Sequence, residues 1–320
     1  MQMNSAPNSD GNKAYTLKWN EMSGNRWDPY FFMPELTELD RKISAMADGT
    51  LQELTITINS GATPNNDEKE KYDSNTEHGV PLLRVQNITD EGLDLDDCTF
   101  INYETHENYL KQSKVFENDL LITIAGRIAN CAVAPKGFEG NINQNCVVVK
   151  TENRKRSELI AAFLNSNIGH TLALKRATGG TRPTLDYDAL KKMPIILNDE
   201  IFLIMDTAYK QKAEMIKHVK FENEEILQKK DAELFDEIMN DRCEKTFYLK
   251  WSENQNRLDP SYYLQDKEIS IVSPKTKIQN DLENIMNFES QQNKNNQEKA
   301  NDIVMKAKQQ VDEIILGGRY

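Results

Sequence analysis

Long hydrophobic runs are absent from this sequence of 320 residues. No stretch of about 18 apolar residues exists, so we expect no transmembrane helix. We expect no secretory signal either, because the segment MQMNSAPNSDGNK at the N-terminus has no apolar core. Cysteine is scarce and forms no CxxC pair, which predicts reduced thiols in a cytoplasm rather than a zinc site or a disulfide framework. The cysteines are Cys98, Cys131, Cys146 and Cys243.

The motifs that carry catalysis are also missing. No Walker loop is present, and no glycine-rich loop suited to S-adenosylmethionine follows a strand. The histidines stand apart, with no partner at metal-ligand spacing. Asp67, Glu68 and Lys69 are the residue types of a nuclease site, but they lie in a polar loop where solvated charge is the default. We therefore expect no catalytic residue, no metal site and no cofactor. An enzyme whose site is assembled from separated carboxylates remains an alternative.

Negative charge dominates overall, with a net charge of −12, but it is unevenly spread. Residues 51–100 carry 3 basic and 11 acidic side chains, a net of −8, whereas residues 127–192 carry 11 basic and 5 acidic, a net of +6. A basic stretch in an acidic protein is typical of a local phosphate-contacting face. A chance fluctuation among solvated loops would give the same pattern, so both interpretations stay open.

An internal repeat opens the sequence and returns near its end. YTLKWNEMSGNRWDPYFF (15–32) aligns with FYLKWSENQNRLDPSYYL (247–264), and eight of fourteen pairs between Tyr15 and Pro29 are identical once Gly24 is skipped. The spacing is too large for a solenoid unit, so it indicates the start of a duplicated module. Asp28-Pro29-Tyr30 resembles part of a methyltransferase motif. A structural turn entering a helix explains it better, because the second proline of that motif is missing.

Between the copies, short β-like runs separated by glycine predict an α+β domain around a twisted sheet. Helices are expected at 156–173 and 186–192. Residues 199–243 contain no Gly or Pro and predict a long amphipathic helix capped by Asn198 and Asp199, and a second is expected at 277–316. We divide the chain into an arm with the first repeat copy (1–50), the α+β domain (51–198), the long helix (199–243), the second copy with a linker (244–274) and a C-terminal helix (275–320).

Five strings within the α+β domain carry a family resemblance. They are GATP (61–64), GVPLLRVQNI (79–88), FENDLLITIAG (116–126), NINQN (141–145) and GGTRPTLD (179–186). In this order and spacing they resemble the target-recognition domain of type I restriction-modification specificity subunits, and the helix at 199–243 resembles the spacer helix of that family. Such subunits typically carry two recognition domains. This chain holds one, so it resembles a half-length or truncated form.

The resemblance implies a non-catalytic subunit that binds double-stranded DNA. Methyltransferase subunits, with restriction subunits as a further partner, would perform the chemistry. Arginine suits guanine, and asparagine or glutamine suits adenine, in the major groove, whereas lysines and other polar groups take phosphates. Lys175 and Arg176 are the expected phosphate contacts. The full set of DNA-binding candidates is Arg84, Gln86, Asn87, Arg127, Asn143, Gln144, Asn145, Lys175, Arg176, Thr178, Gly179, Gly180, Thr181 and Arg182.

Two points of interpretation stay open at this level. A coiled-coil scaffold without a nucleic-acid role also fits the net charge of −12. The assembly is a homodimer through the long helices, which we favour, or a monomer whose two helices pack as a hairpin until methyltransferase subunits bind.

Overall fold

The computed structural model describes residues 17, 26, 28–64, 71–73, 78–179, 182–217 and 275–317, with the backbone alone for 275–289, 292 and 293. The second repeat copy, the predicted helix beyond residue 217, and Gly180 and Thr181 lie outside these ranges. The chain divides into two compact units, Met1–Tyr209 with Val304–Tyr320, and Lys210–Ile303. All the sheets of the described residues belong to the first unit.

The helices of the described residues are α1 (Pro34–Met46), α2 (Arg154–Asn165), α3 (Asn167–Arg176), α4 (Tyr187–Lys191), α5 (described over 199–217) and α6 (Lys275–Leu316). The strands are β1 (Gly49–Thr50), β2 (Thr57–Ser60), β3 (Tyr72–Asp73), β4 (Val80–Leu83), β5 (Ile88–Thr89), β6 (Gly92–Leu93), β7 (Thr99–Ile101), β8 (Lys114–Phe116), β9 (Leu120–Thr123), β10 (Cys131–Val133), β11 (Glu139–Ile142), β12 (Cys146–Lys150) and β13 (Pro194–Ile195). Helical turns at Val85–Asn87, Thr105–Tyr109 and Lys111–Ser113 join strands.

An antiparallel sheet in the order β10-β9-β12-β2 carries the most apolar strands. Every residue of β9 and the first four of β12 are buried. β12 pairs with β9 from Cys146↔Thr123 to Val149↔Leu120. Such continuous hydrophobic runs are typical of strands covered on both faces. One face of this sheet lies against α2, which contacts β9 and β10, and the other faces a second sheet.

The second sheet has the order β3-β7-β4-β11-β8, and within it β4 and β11 run parallel. Its central strand divides two hydrophobic clusters, because successive side chains of a strand point to opposite faces. Leu83 packs with Leu121 and Val148 in the core between the sheets, whereas Leu82 packs with Ile101 and Leu110. The α+β class is confirmed. The expected single sheet is two packed sheets, together with the ribbons β1-β13 and β5-β6.

The helix expected at 156–173 is two helices, α2 and α3, that meet at Ser166. The Ser166 hydroxyl accepts a hydrogen bond from the Gly169 amide at 3.1 Å and donates to the Phe163 carbonyl at 2.6 Å. This is the capping chemistry that starts a new helix. A Cβ at Gly169 would lie 2.1 Å from the Phe163 carbonyl oxygen, so the close approach of the two helices requires glycine there.

The turn predicted at Asp28-Pro29-Tyr30 is confirmed. Asp28 Oδ1 accepts from the Phe31 amide at 2.9 Å, and the Phe32 amide donates to the Pro29 carbonyl at 3.2 Å. These bonds turn the chain into α1, which starts at Pro34, a residue whose fixed φ suits the first turn of a helix.

The helix α5 begins as the sequence predicts, whereas α6 begins at Lys275, two residues before the expected start. Asn198 Oδ1 accepts from the Glu200 amide at 2.7 Å and the Ile201 amide at 3.2 Å, which caps α5. In the first unit, Lys308 near the end of α6 pairs with Asp90 at 3.0 Å, and Tyr209 of α5 donates to the same carboxylate at 3.3 Å. No helix of the described residues is both long enough and apolar enough to span a membrane.

Candidate nucleic-acid interface

Most of the candidate DNA-binding residues that the structure describes lie at one edge of the four-stranded sheet. Neighbouring strands of this sheet are antiparallel, so their ends alternate. β2 ends at Ser60 and β9 ends at Thr123 on the edge where β10 starts at Cys131 and β12 starts at Cys146. The segments 61–64, 124–130 and 143–145 therefore emerge side by side.

Backbone hydrogen bonds tie these segments to the loop that follows α3. The Ile124 amide donates to the Asn145 carbonyl at 2.8 Å, and the Leu185 amide donates to the Ile124 carbonyl at 2.8 Å. The Gly126 amide donates to the Pro183 carbonyl at 3.2 Å. Three loops that are distant in sequence thus share one hydrogen-bonded base. We call the edge formed by residues 124–127, 143–145, 178–179 and 182–184 the loop edge.

The loop after α3 is closed by a pair of threonines. The Thr178 amide donates to the Thr184 carbonyl at 2.8 Å, and the Thr184 amide donates back at 2.7 Å. Gly179 has a φ of +92°, and a Cβ there would lie 2.9 Å from the Arg182 carbonyl oxygen. Thr178, Gly179 and Arg182 are exposed, so this loop presents polar groups to solvent.

The segment 143–145 divides its side chains between structure and surface. The Asn143 side chain is 7 % exposed, and its Oδ1 accepts from the Asn145 amide at 3.1 Å. Gln144 is exposed and accepts a hydrogen bond from the Thr63 hydroxyl. Asn143 therefore shapes the turn that presents Gln144. Arg127 is exposed beside it in the loop edge, after Gly126, whose φ is +80°.

The group Arg84, Gln86 and Asn87 follows β4, whose last residue accepts a hydrogen bond from the Asn143 amide at 2.9 Å. Asn87 is 1 % exposed; it accepts from the Arg84 amide at 2.9 Å and donates to the Asp94 carbonyl at 2.9 Å. The half-buried Arg84 donates to the Asp97 carbonyl at 3.2 Å. Asn87 holds its own turn, so the structure corrects its expected role, and Gln86 is the exposed member of the group.

The sequence predicts that Lys175 and Arg176 contact phosphates from the surface, but the structure does not place them on the surface. Lys175 is 4 % exposed, and its ammonium lies 3.1 Å from Asp40 Oδ2. Arg176 donates to Asp40 Oδ1 at 2.6 Å and to the Leu172 carbonyl at 3.1 Å. Both cations are paired within the protein, because one carboxylate of α1 faces the end of α3. In this structure neither is available to a phosphate.

Sequence reasoning missed the residues that hold the end of α3. Besides Asp40, Arg26 donates to the carbonyls of Arg176 and Ala177. The signal that could have found Arg26 is the repeat, because Arg26 and Asp28 are identical in both copies. Asp40 has no such signal, being an ordinary acidic residue of an amphipathic helix.

One histidine has partners that the sequence does not reveal. His106 is fully buried, with Nδ1 2.5 Å from Asn141 Oδ1 and Nε2 2.9 Å from Glu139 Oε1. Glu107 lies 3.7 Å from the ring, so these groups could together hold a metal ion, but the ammonium of Lys114 already lies 2.5 Å from Glu107. The expectation of isolated histidines is wrong for His106, which pairs the turn at Thr105–Tyr109 with β11.

The described cysteines have the properties of structural thiols. Burial raises the pKa of the Cys146 thiol to about 12 and raises the pKa of Cys131 and Cys98 as well. A protonated thiol is a poor nucleophile and a poor metal ligand. These side chains therefore contribute to packing at neutral pH.

Comparison with known proteins identifies the family. Polar loops along one edge of a sheet are a common place for binding and catalytic residues. The chain belongs to the family of the type I restriction modification DNA specificity domain, whose model matches residues 46–238. No curated protein matches the chain.

Solved structures similar to the chain include the S subunit of a type I restriction-modification system from M. genitalium, with 14 % identity, a TM-score of 0.37, and coverage of 60 % of this chain and 46 % of that one. The HsdS subunit from Thermoanaerobacter tengcongensis has 12 % identity and a TM-score of 0.33, covering 55 % and 43 %. The type IIG restriction endonuclease BpuSI has 11 % identity and a TM-score of 0.44, covering 57 % and 28 %. The chain spans less than half the length of each of these solved chains.

Proposed function

We propose that the chain is a sequence-specificity subunit of a type I restriction-modification complex that reads double-stranded DNA with the loop edge. The observation that carries the proposal is the shared hydrogen-bonded base of the three loops. It brings the exposed side chains of Arg127, Gln144 and Arg182 to one edge of a rigid sheet. The family to which the chain belongs supports the same function.

The residue types at the loop edge match the chemistry of base edges. Arg127 and Arg182 each offer a guanidinium fork to O6 and N7 of guanine or to a phosphate, and Gln144 offers an amide to N6 and N7 of adenine. The threonines and glycines of the loop after α3, with Gln86 and Asn145, are further candidates for phosphate or base contacts. The buried side chains of Asn87, Asn143, Lys175 and Arg176 hold the scaffold instead.

Partner subunits complete the proposed activity. The chain itself would transfer no methyl group, cleave no DNA and need no cofactor. It would direct methyltransferase and restriction subunits to a DNA site, and the proposed location of the complex is the cytoplasm. We retain the homodimer through the long helices as part of this proposal. A second chain would supply a second recognition domain, and two identical domains would recognise a palindromic split site. Light scattering that gives the mass of one chain at tens of micromolar would contradict the dimer.

The test is a double substitution at the loop edge. We expect Arg127→Ala with Arg182→Ala to weaken binding to a duplex selected from a random pool by about 100-fold and to lower the salt slope of binding by about two. Gel shifts at several salt concentrations measure both quantities. The matched control is Arg41→Ala with Arg156→Ala, which removes the same charge from the exposed face of α1 and from α2.

The control decides between DNA reading at this edge and general charge attraction. Equal losses in the two double variants would mean that net charge, not the loop edge, governs binding. Unchanged affinity in the loop-edge variant would reject the proposed interface. The purified chain should also show no methyl transfer and no DNA cleavage, and activity that persists through purification would contradict the non-catalytic role.

A further inference from the structure

An arginine of the first repeat copy holds the C-terminus of α3. Arg26 donates from Nη1 to the Arg176 carbonyl at 2.6 Å and from Nη2 to the Ala177 carbonyl at 2.7 Å. The last carbonyls of a helix have no partner inside the helix, and they carry the negative end of its dipole. One rigid guanidinium fork therefore satisfies two carbonyls and places a positive charge where the helix favours it.

Arg26 is itself fixed by its neighbours in the repeat. Its Nε donates to Asp28 Oδ2 at 2.9 Å, and its guanidinium lies 4.4 Å from the ring centroid of Phe31. The ammonium of Lys175 lies 4.2 Å from the same ring centroid. The Arg26 side chain is 14 % exposed, so these contacts are largely shielded from water. These contacts fix the orientation of the Arg26 guanidinium that binds the end of α3.

The helix end that Arg26 holds is also the base of the loop after α3. Ala177, whose carbonyl accepts from Arg26, directly precedes Thr178, and Thr178 closes the loop by its two hydrogen bonds with Thr184. Thr184 in turn pairs with Ala125 of the loop edge. Without the hydrogen bonds from Arg26, the last turn of α3 would open. Thr178, which closes the loop, would then move.

We propose that Arg26 is a positioning residue for DNA reading, which acts through the end of α3 by fixing the loop that Thr178 and Thr184 close. The inference rests on the proposed function of the loop edge and adds the first repeat copy to the recognition machinery. Arg26 contacts the end of α3 and not the DNA. Its effect on binding therefore passes through the conformation of the loop.

The opposite end of α3 supplies a matched control. Asp312 Oδ2 accepts from Asn167 Nδ2 at 2.9 Å and also from the Ile168 amide, so it holds the N-terminus of the same helix. A helix of ten residues is about 15 Å long, which separates this contact from the loop. Asp312→Asn therefore changes a contact at the start of α3 and none at the base of the loop.

The first experiment measures amide hydrogen exchange in the full chain without DNA. Arg26→Lys keeps the charge and loses the fork. We expect the peptide carrying the Thr178 and Thr184 amides to exchange at least about tenfold faster in this variant, since a bond to a charged group is lost at its base. Asp312→Asn should leave that peptide within about twofold of the unchanged chain. Circular dichroism checks that both variants are folded. Unchanged exchange in Arg26→Lys, or the same increase in both variants, would overturn the proposal.

The second experiment measures DNA binding by the same variants. Against a duplex selected from a random pool, Arg26→Lys should lower affinity about tenfold while the salt slope stays unchanged, because no phosphate contact is lost. A slope lowered by about one would mean that Arg26 contacts a phosphate directly, which contradicts a positioning role. Faster exchange with unchanged affinity would separate the two proposals: Arg26 would position the loop, and the loop would not read DNA.

Discussion

Arg176 and Arg182 belong to the same basic stretch, yet the structure gives them opposite environments. Arg176 is paired with Asp40 at 2.6 Å and its side chain is 13 % exposed. Arg182 is exposed in the loop that Thr178 and Thr184 close. Six positions along the chain separate a cation that holds two helices together from one that faces solvent. Within the basic stretch, the cations at the end of α3 therefore form a buried cluster, whereas those of the loop edge are exposed.

The difference shows what local charge does and does not indicate. An excess of basic residues indicates a phosphate-contacting face when the counter-charges are absent from the fold around it. Asp40 lies in α1, more than 130 residues from its partners in sequence. Such a carboxylate neutralises a stretch that looks uncompensated in the sequence.

The largest effect should come from removing the shared carboxylate. We expect Asp40→Ala to lower the free energy of unfolding by about 3 kcal/mol, because it leaves Lys175 and Arg176 buried without their counter-charge. Arg182→Ala should change it by less than about 0.5 kcal/mol, as is usual for an exposed residue. Urea unfolding followed by circular dichroism measures both. Similar losses of unfolding free energy in Asp40→Ala and Arg182→Ala would contradict the division into a buried cluster and an exposed loop.

A smaller effect should follow at the other end of α3. Ser166→Ala should cost about 1 kcal/mol, since it removes the hydroxyl that caps the first turn of α3. Ser157→Ala in α2 is the comparison, because its hydroxyl donates to the Asn118 carbonyl at 2.7 Å and caps no helix start. Hydrogen exchange over residues 167–176 should increase in Ser166→Ala and not in Ser157→Ala. Equal exchange would indicate that α2 and α3 behave as one continuous helix.

The smallest effect concerns the pH dependence of Asp28. Burial raises the pKa of this carboxyl, but hydrogen bonds from Arg26 and the Phe31 amide outweigh burial and hold the pKa below its ordinary value of 3.8. A carboxyl whose pKa is lowered in the folded protein stabilises the fold at pH values above its ordinary pKa. This stabilisation is lost as the pH falls through the lowered pKa. Because the side chain is 43 % exposed, we expect Asp28→Asn to cost less than about 1 kcal/mol at pH 7.

Unfolding free energies measured from about pH 6 down to about pH 2.5 test this sign. The difference between the unchanged chain and Asp28→Asn should narrow toward low pH. A difference that widens toward low pH would show that Asp28 is not held ionised by its partners.

Local chemistry made part of the fold predictable. Asn198 caps a helix by accepting from the Ile201 amide, and Asp28 forms a turn by accepting from the Phe31 amide. Each partner lies three positions away in the sequence. The apolar runs of β9, β10 and β12 likewise predict buried strands. The sequence also contains a signal for the break at Ser166, because serine is a residue that caps helices. The apolar periodicity on both sides of Ser166 predicts one continuous helix instead.

The sequence indicates which loops are candidates for the site but not the role of each side chain, and their role in DNA binding stays a prediction. The loops at 124–127 and 143–145 meet at one edge because they leave neighbouring strands, and backbone hydrogen bonds tie residues 183–185 to them. Whether a polar side chain faces solvent depends on partners elsewhere in the fold. Asn87 donates to the Asp94 carbonyl and Lys175 pairs with Asp40, so both are used internally. The sequence marks neither partner.

The anchoring of α3 has a consequence for protein engineering. The helix is held by Arg26 and Asp40 at its end and by Asp312 at its start, and all three lie outside the residues 46–238 that the family model matches. A graft that exchanges this segment alone between two proteins would leave behind the residues that hold α3. A transplant with new specificity should therefore carry all three residues with it, or find equivalents in its host.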